Sequence, residues 1–123
     1  MNNLIIDAAN DKIFFMIIAD NKSYTSEFIN NRENFDKLTT LIVKFLENHH
    51  LSLKNLSNIF VNQGPGKFSG IRASIATAKA LSLVNKIDLY GFNSEQIFDE
   101  NYAEIIDLFN KGVLIKNLIK PYY

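Results

Sequence analysis

A chain of 123 residues, 47% of them apolar and 12% aromatic, is long enough for a single folded domain around one core. Thirteen Lys and Arg against thirteen Asp and Glu leave no net charge, which excludes a protein that grips a nucleic-acid backbone unaided. The absence of cysteine excludes disulfides and thiolate chemistry and leaves any metal to histidine and carboxylate ligands. Asp20, Lys79 and Lys86 interrupt the apolar-leaning stretches and no charged-then-apolar leader opens the chain. Neither a membrane span nor a signal peptide is therefore expected, and residence is expected to be cytoplasmic.

Three strands are expected first, at Asn3–Asp7, Lys12–Ala19 and Lys22–Ile29. Turn residues at Ala9-Asn10-Asp11 and Asp20-Asn21 make them antiparallel neighbours. Phe35, Leu38, Leu41, Ile42, Phe45 and Leu46 then recur at steps of three and four, the spacing of one helical face running to about Asn48. A strand at Ile59–Asn62, a helix from about Gly70 to Asn85 and a strand at Ile87–Tyr90 follow, two parallel strands joined by a right-handed crossover. Asn101 with Glu104 three residues on predicts a capped helix that turns Tyr102, Ile105, Ile106 and Phe109 inward and stops at Gly112. The predicted architecture is α/β, in the order βββαβαβα, with a mixed five-stranded sheet and helices on its faces. No repeat or linker divides the chain, so residues 1–123 are expected to be one domain ending in a helical tail over about 101–123.

The turn between the fourth strand and the following helix reads Gly64-Pro65-Gly66-Lys67-Phe68-Ser69-Gly70. Glycines at a strand-to-helix turn can cradle a phosphate through backbone N–H groups. The spacing here matches neither Gly-x-Gly-x-x-Gly nor the Walker loop. We read the loop as structural, with Gly64, Gly66, Lys67, Ser69 and Arg72 as the candidates for nucleotide or partner contact. A two-metal nuclease needs several converging carboxylates. Asp7 stands where the first belongs, but the fourth strand ends in Asn62-Gln63, and Glu33 and Asp36 lie on a solvated turn, so Asp7 is read as a turn-capping carboxylate. His49 and His50 are adjacent at a helix end, where their side chains diverge by about 100°, and are read as helix-end cations rather than ligands. No catalytic residue, metal site or cofactor is assigned.

The two long helices carry more small and apolar residues than one sheet contact needs. Ala73, Ala76, Thr77, Ala80 and Val84 form one stripe beside Ile71, Ile75, Ala78 and Ser82, and Thr39, Thr40 and Val43 flank the main stripe of the first helix. Either both faces are core, or one is a partner interface built from Thr39, Val43, Ala73, Ala76, Thr77 and Ala80.

As a string, Gly64 to Arg72, continuing through Ala76-Thr77-Ala78-Lys79-Ala80-Leu81 to Tyr90-Gly91-Phe92-Asn93-Ser94, resembles the TsaB family. That family supplies the non-catalytic subunit of the bacterial machinery that installs threonylcarbamoyladenosine on tRNA. Ile5-Ile6-Asp7, Asn31-Arg32-Glu33 and Leu51 to Leu56 are similar in the same order, so the resemblance covers most of residues 4–98. It implies a single ribonuclease-H-like lobe of the actin, sugar-kinase and heat-shock-chaperone superfamily. A second lobe is expected to be absent, because Pro121-Tyr122-Tyr123 is similar to the family's C-terminal ending. It further implies a TsaD-like catalytic partner bound through the two long helices, a homodimer through the same helices, a TsaE-like ATPase in the same system, and tRNA reached only indirectly. The paralogue TsaD holds its metal with histidines, and by alignment Ser94 and Phe98 occupy the positions of one such pair. The alternatives are an autonomous metal-dependent enzyme, peptidase-like in the glycoprotease manner or nuclease-like, and a homodimeric interaction module.

Overall fold

In the computed structural model, which describes residues 1–97 and 99–122, one six-stranded sheet carries the molecule. Its strands are β1 (Asn2–Asp7), β2 (Lys12–Ala19), β3 (Lys22–Ile29), β4 (Asn58–Asn62), β5 (Asp88–Phe92) and β6 (Ile115–Lys116), in the spatial order β3-β2-β1-β4-β5-β6. β1, β2 and β3 pair antiparallel, as their short turns dictate. β1, β4 and β5 pair parallel, with Ile6 opposite Val61 and Val61 opposite Gly91. The α/β ribonuclease-H-like arrangement expected from the sequence is the one observed.

The sheet has six strands where five were expected. β6 is two residues long, antiparallel to β5, and both of its residues are exposed. So short a pairing, in a segment without apolar alternation, leaves no periodic signal.

Side chains alternate across the strands, and each face of the sheet has its own apolar cluster. On one face Leu4, Ile6, Phe15, Ile17, Ile59 and Val61 meet α2 (Leu38–Asn48) and α3 (Phe68–Asn85). On the other, Ile5, Phe60 and Phe92 meet Tyr102 and Ile105, the latter from α4 (Ala103–Asn110). β1 and β4 are covered on both sides, which is why Leu4-Ile5-Ile6 and Ile59-Phe60-Val61 are continuous apolar runs.

The expected single helix carrying Phe35 is divided. A short α1 (Arg32–Phe35) precedes α2, and Lys37 between them leaves helical geometry at φ −127°. Asn31 caps the early turn by accepting the Asn34 N–H at 2.9 Å. Lys37 N–H then closes a tight turn on Asn34 O, so the apolar spacing runs on while the backbone does not.

α4 forms where expected and turns Tyr102 and Ile105 inward, with Ile106 and Phe109 packed alongside. Its cap differs from the expectation. Tyr102 occupies the N-cap without a side-chain bond to the helix, and the Asn101 side chain reaches Glu104 Oε1 at 3.4 Å while its carbonyl accepts the Glu104 N–H. Beyond Asn110 the tail expected to be helical consists of a turn at Gly112, β6 and an irregular segment.

Phe60 is fully buried, stacked on Tyr90 at 5.5 Å between ring centroids and edge-on to Phe109 at 5.4 Å. Phe60→Ala is expected to cost about 3–5 kcal/mol, read as a lowered urea midpoint.

Candidate functional site

β1 and β4 are parallel neighbours from which the sheet grows in opposite senses, β2 and β3 to one side and β5 to the other. Ligands of open α/β sheets sit beyond the carboxyl ends of strands at such a switch point. Here those ends supply Asp7 and Asn62, joined by Ser94 after β5 and by the glycine loop.

Asp7 is 2% exposed and has a partner on each oxygen. Its Oδ1 accepts the Ala9 N–H and Asn62 Nδ2–H, both at 3.0 Å, and its Oδ2 accepts the Tyr102 hydroxyl at 2.7 Å. Asn62 Nδ2 also lies 3.1 Å from Ser94 Oγ, and the Ser94 hydroxyl donates to Pro65 O at 2.8 Å. Asn62 Oδ1 accepts the Gly64 N–H at 2.8 Å, and Ser94 N–H donates to Gly64 O at 2.8 Å. The turn-capping role read for Asp7 is present in the bond to Ala9, and it is one of three. Small hollows of about 120 and 190 Å³ flank the carboxylate, with Asn10, Glu100 and Tyr102 lining both.

Burial pushes the Tyr102 phenol well above its ordinary pKa, and the charge and hydrogen bond of Asp7 add to the rise, with Glu100 and Glu27 contributing. The Lys67 ammonium, hydrogen-bonded to Asp11 at 2.9 Å, lowers that exposed carboxyl.

The glycine loop packs rather than gapes. Gly64 has φ +107°, and a Cβ there would overlap the Tyr122 carbonyl. A Cβ on Gly70 would strike Ala8 O, a carbonyl that also accepts Asn30 Nδ2–H at 2.8 Å. Gly66 lies against Ala9, whose carbonyl accepts the Lys67 N–H at 2.8 Å. Of the remaining loop candidates, Lys67 pairs with Asp11, Arg72 lies 5.2 Å from the Phe68 ring centroid, and Ser69 is exposed. The fold therefore gathers Gly64 and Gly66 at the strand ends and leaves Lys67, Ser69 and Arg72 on the surface.

Among the helix residues singled out as an interface, Thr39, Ala76 and Ala80 are exposed, and Val43, Ala73 and Thr77 are half-buried. Leu83 and Val84, 82% and 78% exposed, prolong this face to the end of α3. A groove of about 670 Å³ between α1 and α3 flanks it, lined by Arg32, Asp36, Arg72 and Ala76 among others. A hollow of about 400 Å³ lies between Val43 and Leu46 of α2 and Asn85 of α3.

His49 stacks on Tyr24 at 4.0 Å between centroids, and His50 follows at φ +59°. Among the described residues no three His, Asp or Glu side chains are grouped to hold a metal ion. Ser94 is tied to Asn62 and Pro65, and Phe98 lies outside the described residues. Sequence reasoning missed Tyr102 as a polar partner and Asn62 as the neighbour of Asp7. Parallel pairing of two strands that end in polar residues was the available signal for Asn62, whereas an aromatic at a helix start reads as core.

A family model described as TsaD, tRNA N6-adenosine threonylcarbamoyltransferase, matches residues 28–102. Over 94 residues the chain is 34% identical to the tRNA threonylcarbamoyladenosine biosynthesis protein TsaB of Buchnera aphidicola subsp. Schizaphis graminum, covering 76% of this chain and 45% of that one. The chain belongs to this family, in its TsaB branch. A tRNA N6-adenosine threonylcarbamoyltransferase of Bartonella henselae is 37% identical over 62 residues, 50% of this chain and 17% of that one. The chain thus spans less than half the length of these two relatives. YeaZ from Pseudomonas aeruginosa superposes with a TM-score of 0.72 at 15% identity over 90% of this chain and 50% of that one. RuvC of Thermus thermophilus superposes at 0.56 and 10% identity, over 92% and 78%. Both are likenesses of fold.

Tyr102→Phe removes one donor to a buried carboxylate and is expected to cost about 1.5–3 kcal/mol. Its pH dependence has a sign. Below the ordinary phenol pKa near 10.0 both states hold the Tyr102 proton. Above it only the unfolded state releases the proton, so stability falls as pH rises, by about 1.4 kcal/mol per unit. Urea unfolding between about pH 9 and 11 is expected to show a steeper decline for the unaltered chain than for Tyr102→Phe. The other tyrosines are common to both.

Proposed function

We propose that the chain serves tRNA threonylcarbamoyladenosine biosynthesis as a non-catalytic subunit that docks a TsaD-like catalytic partner on the outer face of α2 and α3. The observation that carries this reading is the exposed apolar end of α3. Leu83 and Val84 stand in solvent beside Ala76 and Ala80, on a helix whose inner face is already occupied by Ile71, Ile75, Ala78 and Leu81. Small residues let a second helix approach closely, and large apolar neighbours reward its arrival. The names borne by the TsaB-branch relatives supply the pathway.

The strand-end site supports a subunit that leaves chemistry to its partner. The Asp7 oxygens are engaged by Ala9, Asn62 and Tyr102, and the Ser94 hydroxyl by Pro65. With no net charge, the chain relies on its partner for the tRNA backbone. A TsaE-like ATPase joins the same assembly in this reading, and a second copy of the chain competes for the same helical face.

The test is light scattering after size exclusion, on the chain alone and mixed with the TsaD-like protein of the same organism. A one-to-one complex is expected. Ala80→Glu and Leu83→Glu are each expected to weaken it tenfold or more, about 1.4 kcal/mol, while shifting folding stability by about 0.5 kcal/mol or less as surface changes do. Separate elution in the mixed run would sink the reading. A dimer that neither substitution disturbs would place the partner surface elsewhere.

A further inference from the structure

Residues 117–122 leave β6 and cross the α3 side of the sheet toward the end of β4 without joining a helix or strand. Asn117 N–H donates to Leu89 O at 3.0 Å and Tyr122 N–H to Gln63 O at 2.6 Å. The Gln63 side chain donates Nε2–H to Lys120 O at 2.9 Å. Between these points Ile119 is fully buried, whereas Leu118, Lys120 and Tyr122 are exposed. Two glycines shape the groove beneath. A Cβ on Gly91 would run into the Gln63 side chain and Ile119, and one on Gly64 into the Tyr122 carbonyl.

We propose that this segment is a releasable strap, an extended self-peptide whose docking orders the glycine loop in front of α3. Its mode of attachment is that of a bound peptide: main-chain hydrogen bonds for affinity and one aliphatic anchor for register. One fully buried side chain is a small hold, and segments with few buried contacts open locally without global unfolding. The segment also has a place to pivot. Gly112, at φ +71° with open space around its Cα, and Asn117, at φ +67°, bracket the two-residue β6.

The consequence falls on Gly64. Asn62 takes its N–H, Ser94 donates to its carbonyl, and the strap closes the remaining side through Tyr122. When the strap leaves, Gln63 loses its bond to Tyr122 on the main chain and its bond to Lys120 on the side chain. The backbone at 63–64 is then held only by the Gln63 N–H on Phe92 O and by the Asn62 and Ser94 contacts of Gly64. Pro65, Gly66 and Lys67 follow, and Lys67 O accepts the first helical N–H of α3, from Ile71. Strap docking and the order of residues 63–64 at the head of the loop are thereby coupled, while Lys67 keeps its bonds to Ala9 O and Asp11.

Native-state hydrogen exchange by NMR on the full chain tests this. In the unaltered chain the amides of Asn117, Tyr122, Gly64 and Ser94 are expected to exchange through a common opening, about tenfold or more faster than the amides of β1 and β4. Ile119→Ala is expected to accelerate that set by a further tenfold or more and to leave β1 and β4 within about twofold. Gln63→Met keeps the length of the side chain, removes the donor to Lys120 and is expected to give the same pattern at smaller amplitude. It decides the matter if Ile119→Ala does not fold. Uniform acceleration across the sheet would make Ile119 an ordinary part of the global core and overturn the strap. Unchanged Gly64 and Ser94 amides in both variants would overturn its tie to the loop.

Discussion

The buried carboxylate of Asp7 is the constraint around which the strand-end architecture is arranged. A carboxylate this far from water is tolerable only where donors surround it. Those donors come from Ala9 next door, Asn62 at the end of β4 and Tyr102 at the start of α4. The last two lie 55 and 95 residues away in sequence. Satisfying one side chain therefore fixes the parallel pairing of β1 with β4 and sets where α4 enters the opposite face. Tyr102 does both jobs at once, because its ring stacks on Phe14 at 4.2 Å between centroids while its hydroxyl reaches Asp7.

The same constraint explains why a phosphate-loop-like string behaves as a spacer. A loop that holds an anion keeps its N–H groups and its lysine turned outward. Here Gly64 N–H goes to Asn62, Lys67 N–H goes to Ala9 and the lysine ammonium goes to Asp11. The glycines bring this backbone against Ala8 and Ala9, the residues that follow Asp7, at distances that a Cβ forbids. Asn30 holds the other side of that turn by donating to Ala8 O and Asn10 O. The loop, the β1 turn and the end of β3 are thus packed as one unit.

What could be read from sequence follows the range of the interaction. Alternation in Lys12–Ala19 and helical spacing in Leu38–Asn48 report contacts with a flat or cylindrical neighbour, and both elements stand where the periodicity puts them. The division at Lys37 depends on one side-chain cap, which periodicity does not sample. β6 rests on two residues and a partner more than twenty positions upstream. At the site, Asp7 and the glycines were visible as residue types, but their use was not. Whether Asp7 meets a metal or a tyrosine depends on where α4 lands, and nothing local to Ile5-Ile6-Asp7 specifies that.

The two helical faces of the sheet end in different states of completion. On one side an eight-residue α4 is matched to the strands it covers, and Ile105 and Tyr102 are buried with Phe60 and Phe92. On the other, α3 has eighteen residues and spends its inner row on the sheet, so its last turns carry Leu83 and Val84 outward. Full burial of such a side chain is worth about 1.5–3 kcal/mol, a gain the isolated chain forgoes at two adjacent positions. The helix that bears them starts at the glycine loop and runs about 27 Å as a single rigid element. Its first turn is set by the packing of residues 64–67, and its last turns present the apolar surface.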